Sequence, residues 1–132
     1  YPVRVIQGFE RFVVDLLRGE SSLDLSGLKL QGDTHAGVYE TAPMLHIAEH
    51  LVRSEWLAKL PPMPIEFAEM KQAKSFQELG NGLGYTGDLS QSTHALGEKI
   101  MTHYSDRFCD VILRHVRGEE VMDELRCAHL MG

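Results

Sequence analysis

The sequence has few of the features that mark membrane, secreted or disulfide-rich proteins. Its 132 residues include two cysteines, Cys109 and Cys127, which are too far apart for a Cys-x-x-Cys pair. Both lie in helical patterns, so we expect reduced thiols in a cytoplasmic protein. No apolar run reaches the roughly 20 residues that a membrane helix needs, and no signal-peptide pattern opens the chain. We therefore expect no membrane partner.

Concentrated positive charge is also missing. The chain carries 13 basic and 19 acidic residues, a net charge of −6, and no basic cluster exceeds two adjacent residues. Proteins that bind nucleic acids need clustered positive charge to displace counterions, so a nucleic-acid partner is not expected. Apolar residues make up 43% and charged residues 24%, as in soluble globular proteins. This length suits a single domain over residues 1–132.

Hydrophobic spacing predicts a helix-rich chain with a few short strands. A glycine-rich loop is expected between the last predicted strand and a long helix, and Gly118 is expected to cap that helix. The predicted helices are 3–18, 40–59, 92–117 and 119–130, the predicted strands 28–31 and 65–68, and the predicted loop 71–91.

The second predicted helix carries a possible zinc motif. On its helical wheel one face is apolar, and the other holds His46, Glu49, His50 and Arg53; the apolar face is Met44, Leu45, Ile47, Ala48, Leu51 and Val52. His46 to His50 match H-x-x-E-H, in which two histidines share a metal and a glutamate acts as general base. A solvated polar face is the simpler interpretation, and a small helical zinc protein stays an alternative.

The glycine-rich stretch 80–88 lacks the context of a nucleotide-binding loop, because no strong strand precedes it and no Lys-Ser/Thr follows. It is expected to be an active-site or interface loop, or a structural crossing. Asp88, Ser90 or Ser92 is expected to cap the long helix. The remaining histidines, which have no partner at ligand spacing, are expected at the surface: His94, His103, His115 and His129.

The most informative stretch is 32–41, where His35 and Glu40 stand five residues apart in a turn with two glycines, directly before a helical pattern. One interpretation is structural: Thr34 caps the helix, and Glu40 sits in its first turn, where the helix dipole favours negative charge. The other is that the loop presents His35 and Glu40 as reactive side chains.

Residues 34–45 resemble the His-Ala-Gly-x-x-Glu-Thr-Ser-x-Met-Leu stretch of the creatininase (creatinine amidohydrolase) family. A second set is similar to that family's Phe-x-Glu…Asn-Gly…Gly-Asp-Pro…Gly-Glu-Lys segment: 75–78, 81–82, 87–88 and 97–99. Ala42-Pro43 and Leu89 depart from the family pattern. The resemblance spans residues 28–116 and covers only the C-terminal half of the family's usual length.

The resemblance implies an α/β protein, here a partial three-layer α/β/α sandwich. It implies a metal-dependent hydrolase of cyclic or linear amide C–N bonds, often a homo-oligomer, with a metal-bound water as nucleophile. The divalent metal would be zinc, manganese or iron. In the family its ligands come mainly from a Glu-x-His…Asp motif and a Gly-His-Gly-Gly-Asn-like turn, and neither occurs in this sequence.

The resemblance also implies the site residues. His35 would contact the substrate near the catalytic water, and Glu40 would be a buried acid beside or in the metal shell. We therefore expect His35 and Glu40 as catalytic residues, with Glu40 also a metal ligand. The expected substrate-binding residues come from the same turn and from the glycine-rich loop: Asp33, Thr34, Gly37, Asn81 and Gly82.

Two functions follow from this resemblance. The first is a creatininase-like amidohydrolase that acts on a small-molecule amide and is incomplete without the N-terminal metal-binding motifs. The second is a non-catalytic assembly module on the same half-fold, whose exposed apolar surface is buried in a homo-oligomer or by a complementary chain. Bound metal would discriminate between them.

Overall fold

The computed structural model describes residues 23–75 and 77–119, and helices are their main regular elements. The predicted helix 3–18 and nearly all of the predicted helix 119–130 lie outside the described residues. The described residues contain four α-helices: α1 (Val38–Ala48), α2 (Ser54–Leu57), α3 (Phe67–Gln72) and α4 (His94–Val116). They also contain three 3₁₀ turns: Glu49–Leu51, Leu79–Gly82 and Leu89–Gln91.

The chain divides into two compact units. One is formed by Leu25–Met101, and the other by Tyr1–Asp24 together with Thr102–Gly132. Every residue expected in the functional site belongs to the first unit. The organisation of residues 1–132 as a single domain stays a prediction.

The core of the Leu25–Met101 unit forms around α1. That helix buries Val38, Ala42 and Leu45, which lie four and three residues apart and so share one face. The same helix packs against the 3₁₀ turn Leu89–Gln91. Other buried apolar side chains among the described residues of this unit include Ile65, Tyr85, Leu89, Leu96 and Ile100.

Helices α1 and α4 are in close contact at Gly97. A Cβ atom built on Gly97 would overlap the carbonyl oxygen of Ala42 and would lie 2.9 Å from the Cβ of His46. Backbone atoms of one helix therefore occupy the space that a side chain at residue 97 would need. Gly97 lies within the regular helix α4, so its backbone conformation does not require glycine. The requirement comes from the close packing against α1.

The predicted helix 40–59 is divided in the structure, and its predicted apolar face is only partly right, because Leu45 is buried and other members are not. Helix α1 begins at Val38 and ends at Ala48, and extended backbone at Val52 separates the following 3₁₀ turn from α2. The buried face runs through Val38 and Ala42, whereas three members of the predicted apolar face are exposed: Met44, Ile47 and Leu51. The predicted helix starts at residue 40 and so omits Val38, the first residue of the observed helix and a member of its buried face.

Neither predicted strand, 28–31 or 65–68, forms, and the described residues contain no strand. One isolated antiparallel bridge joins Met63 and Gly87, whose N–H groups donate to each other's carbonyl oxygens at 2.7 and 2.8 Å. Nearby, the N–H of Ile65 donates to the carbonyl oxygen of Gly32 at 3.2 Å. Both glycines have positive φ, which interrupts the extended backbone, and α3 begins at Phe67.

A glutamine side chain takes the place of a neighbouring strand beside the segment 28–30. The N–H of Lys29 donates to Oε1 of Gln91 at 2.7 Å, and Nε2 of Gln91 donates to the carbonyl oxygen of Lys29 at 2.8 Å. The carboxamide therefore satisfies both backbone polar groups of Lys29.

The long helix is the best predicted element, since α4 lies within two residues of the expected bounds. Gly118 follows its end with a φ of +81° and donates its N–H to the carbonyl oxygen of His115, which confirms the predicted cap. At the other end, Thr93 Oγ1 accepts the N–H of Leu96, whereas Asp88 accepts from Ser90 and caps the preceding 3₁₀ turn. None of the described helices is long and apolar enough to cross a membrane.

Candidate functional site

The His35 loop, residues 32–37, is held by the hydroxyl group of Thr86. Thr86 Oγ1 accepts the backbone N–H groups of Thr34 and His35, both at 2.8 Å. The N–H of Thr86 donates in return to the carbonyl oxygen of His35 at 2.9 Å. Thr86 is 1% exposed, so these bonds are shielded from competing water. The backbone on both sides of the His35 side chain is therefore fixed.

A buried carboxylate, Asp33, ties the same loop to helix α1. Its Oδ2 accepts the N–H of Val38, the first residue of the helix, at 2.6 Å. Carbon atoms added at Gly37 or Gly87 would collide with this carboxylate. Burial, and secondarily the charge of Glu40, raises the pKa of Asp33 to about 6, and the bond from Val38 opposes that rise. Asp33 is 8% exposed.

The aromatic ring of Tyr39 belongs to the same electrostatic environment. Burial, with a smaller contribution from the negative charge of Asp33, raises the pKa of Tyr39 to about 12. Tyr39 is therefore a neutral phenol over the physiological range and cannot serve as a base there.

Ala36 turns the chain from the Thr86 contacts into helix α1. Its φ is +49°, in the left-handed region that alanine rarely adopts. Gly37 follows and stands at the N-cap position of α1. Non-glycine residues with positive φ cost free energy and occur often at functional sites. His35, directly before this strained residue, is partly exposed.

Glu40 differs from the buried acid that the resemblance implies, because the structure exposes it. Its Oε2 accepts the N–H of Gly37 at 3.0 Å, which supports the first turn of α1. The buried acid of this region is Asp33. Glu40 is thus available to solvent, and its role as a catalytic residue and metal ligand stays a prediction.

Thr34 does not cap α1 as the structural interpretation expects. Its hydroxyl oxygen lies 3.2 Å from Thr86 Oγ1, and the carboxylate that accepts from the start of α1 belongs to Asp33. Thr34 is partly exposed and Gly37 is buried. Asn81 and Gly82 end the 3₁₀ turn Leu79–Gly82, where both have positive φ and are exposed. Contact of these residues with substrate stays a prediction.

An open groove of about 640 Å³ begins beside the His35 loop. We call it the Trp56 groove. Its lining combines Ala36 of the loop with residues of α1 and with residues between Leu51 and Leu60. The described residues that line it are Ala36, Glu40, Thr41, Met44, Leu51, Val52, Arg53, Trp56, Leu57 and Leu60. Trp56 is 52% and Leu51 67% exposed, so large apolar surfaces face this space.

The described residues do not fit a metal centre on their own. No group of three or more His, Cys, Asp or Glu side chains within 23–75 and 77–119 is arranged to hold a metal ion. His46, the first histidine of the H-x-x-E-H motif, lies beside His94 of α4. Their ring centroids are 4.9 Å apart in an edge-on arrangement. Nδ1 of His46 is buried without a hydrogen-bond partner. His46 therefore faces α4, contrary to the solvated face that the wheel predicts.

The sequence motifs direct attention to His35 but miss Thr86. A threonine between Tyr85 and Gly87 in a glycine-rich loop belongs to no motif that we recognised. Its contact with His35 also joins positions 51 residues apart. The nearby signals are the glycine-rich stretch 80–88, which contains Thr86 and is expected to be an active-site or interface loop, and the pair Gly87-Asp88.

The family model described as Creatininase: Creatinine amidohydrolase matches residues 7–112. The chain therefore belongs to the creatininase family. Comparison with curated proteins and with solved structures gave no match. The family implies an α/β fold and an amidohydrolase type of activity, and it is generally metal-dependent. Within that family assignment, the described part of this chain is rich in helix.

Proposed function

We propose that this chain forms part of a creatininase-like amidohydrolase that cleaves the C–N bond of a small linear or cyclic amide. One observation carries the proposal: the family's histidine position, His35, lies in a loop whose backbone is held by the buried hydroxyl of Thr86. A catalytic side chain needs such a rigid support, because small displacements from the productive geometry cost large factors in rate.

His35 would orient the amide or transfer a proton to the leaving nitrogen, roles for which imidazole is well suited. It is partly exposed, so a substrate can reach it. Thr34, Gly37, Asn81 and Gly82 stay candidates for substrate contact. For Asp33, a supporting role agrees best with its burial and with its bond to Val38.

The proposal includes a divalent metal, namely zinc, manganese or iron. Because the described residues do not form a metal centre, we derive no catalytic step through it. Glu40 is the candidate ligand of this chain, since it is exposed and carries a carboxylate. The other ligands would come from residues beyond those described or from a second chain.

The architecture in this proposal is a creatininase-type α/β/α sandwich, of which the chain supplies the C-terminal half. A homo-oligomer or a complementary chain would complete the site. We further propose a cytoplasmic location, in keeping with the expected reduced thiols; Cys109 is a free, exposed cysteine.

The test is amide hydrolysis by the native protein. It should be purified from its natural source without chelator, so that any metal or partner chain stays bound, and assayed for amine or ammonia release from creatinine and a panel of small amides. We expect His35→Ala to lower kcat by about a hundredfold, the range of a general acid–base residue. His50→Ala, which alters an exposed histidine beyond the same helix, is the matched control.

Equal activity of the two variants would overturn the role of His35. Absence of hydrolysis in the metal-bound native protein would overturn the enzymatic proposal itself. It would favour the non-catalytic assembly module, for which the exposed apolar side chains Met44, Ile47 and Leu51 are the supporting observation. That function predicts self-association without turnover.

A further inference from the structure

We propose that the Trp56 groove binds the apolar, carboxylate-bearing part of the amide substrate. This inference rests on the proposed function and names the substrate class: an amide that carries an aromatic or branched aliphatic group together with a carboxylate.

The size and lining of the groove suit a small organic molecule. Its volume of about 640 Å³ falls within the range of roughly 300–1,000 Å³ typical of ligand pockets. Met44, Leu51 and Trp56 are exposed there, whereas α1 buries Val38 and Ala42 on another face. An apolar ligand would remove these side chains from water and so gain hydrophobic free energy.

The charges around the groove favour an anionic ligand. Among the described residues that line the groove, the charged ones are Arg53 and Glu40. Glu40 already accepts the N–H of Gly37, whereas the side chain of Arg53 pairs with no residue in the described part of the chain. Nζ of Lys59 lies 5.3 Å from the centre of the Trp56 ring and adds positive charge beside the groove. A planar carboxylate is the natural partner of a guanidinium group.

The position of the groove connects it to the proposed chemistry. Ala36, which lines the groove, directly follows His35 in the chain, and Glu40 lines the groove as well. The Thr86 contacts and the cap by Asp33 hold this part of the loop against α1. A molecule bound in the groove would therefore lie next to the His35 loop and the proposed catalytic side chains.

Trp56 provides a direct measurement, because it is the only tryptophan of the chain. The full 132-residue chain is titrated with 3-phenylpropanoate and with the uncharged 3-phenylpropanamide, following tryptophan fluorescence. We expect saturable changes with both and tighter binding of the carboxylate. Arg53→Gln should weaken carboxylate binding by about tenfold and leave the amide within about twofold. Lys74→Gln, a loss of the same charge at an exposed residue elsewhere, should change neither.

Calorimetry supplies a readout that does not depend on the fluorophore. Trp56→Ala should weaken binding of both compounds by about tenfold or more, whereas Leu83→Ala, at an exposed apolar residue outside the groove, should not. Equal affinities of wild type, Arg53→Gln and Trp56→Ala would overturn the inference. Fluorescence that changes with protein concentration alone, together with a dimer in sedimentation, would also overturn it and assign the groove to a second copy of the chain.

Failure of this inference is distinguishable from failure of the proposed function. Binding in the groove without hydrolysis of any amide by the native protein would support the groove as a binding site and overturn the proposed amidohydrolase activity. Hydrolysis that Trp56→Ala leaves unchanged would support the proposed amidohydrolase activity and overturn substrate binding in the groove.

Discussion

Two buried polar side chains, Thr86 and Asp33, determine the conformation of the His35 loop. Thr86 acts through an uncharged hydroxyl that serves several backbone groups at once, and Asp33 through a carboxylate that accepts from the start of a helix. The two therefore differ in how they should respond to substitution and to pH.

Replacing Thr86 by valine should loosen the loop and destabilise the protein. The N–H groups of Thr34 and His35 would lose their buried acceptor, at a cost of about 1–3 kcal/mol for each unsatisfied group. We expect Thr86→Val to lower the free energy of unfolding in urea accordingly and to speed amide hydrogen exchange at residues 34 and 35. Thr86→Ser should keep most of the stability and of the protection from exchange. Thr102→Val, at an exposed site, should change neither the free energy of unfolding nor the exchange rates. Unchanged exchange in Thr86→Val would contradict the assigned contact.

Replacing Asp33 by asparagine should change how stability depends on pH. Because the pKa of Asp33 rises from 3.8 to about 6 on folding, the folded state binds this proton more tightly than the unfolded state. The associated stability is present below pH 3.8 and is lost as pH rises through 6. Asparagine imitates the protonated side chain at every pH. The free energy of unfolding of Asp33→Asn, relative to that of wild type, should therefore increase by on the order of 2 kcal/mol as the pH rises from 4 to 7.

Urea unfolding at several pH values measures this difference, and Asp106→Asn, at an exposed carboxylate in α4, is the control. A constant difference between wild type and Asp33→Asn across this range would show that the carboxylate is not buried in its charged form.

At the residue level, the sequence identified the loop but not its supports. His35 was recognisable from its neighbours along the chain, whereas Thr86 acts across 51 positions. The expectation that Glu40 is buried failed because Asp33, seven residues earlier, occupies the interior beside two glycines. Such assignments depend on packing between distant segments, which a local motif does not encode.

Among the helices, the crossing of α1 and α4 gives the clearest test of packing. Alanine usually stabilises a helix relative to glycine, but a methyl group at residue 97 would overlap backbone atoms of Ala42. We expect Gly97→Ala to destabilise the protein by about 3 kcal/mol, because the helices must separate. Urea denaturation followed by circular dichroism measures the loss. Ala95→Ser, at an exposed position of the same helix, should cost less than about 0.5 kcal/mol. A more stable Gly97→Ala would refute the close approach.

Local signals predicted the elements unevenly. The periodicity of α4 and the glycine after it were sufficient to locate that helix. The predicted strands failed because short alternating segments form strands only when neighbours pair with them continuously. Here Gly32 and Gly87, both with positive φ, limit the pairing to isolated hydrogen bonds. Within the predicted helix 40–59, the α-helix ends at Ala48 and the backbone becomes extended at Val52, and the apolar periodicity gives no reason to single out either residue.

For the molecule as a whole, metal content is the decisive prediction. Because no described group of side chains is arranged to hold a metal ion, we expect the 132-residue chain, purified without tag or chelator, to contain far less than one equivalent of zinc, manganese or iron. Elemental analysis of the dialysed chain measures this. Stoichiometric metal would contradict the view that most ligands come from elsewhere, and amide hydrolysis by the chain alone should then be assayed.

The contact between Gln91 and Lys29 has an expected consequence for the protein at high concentration. An extended segment with unpaired N–H and C=O groups can recruit strands from other molecules, which is a common route to aggregation. The carboxamide of Gln91 occupies both groups of Lys29, so no incoming strand can pair there. We therefore expect Gln91 to hinder strand addition from other molecules at Lys29, close to the loop that carries His35.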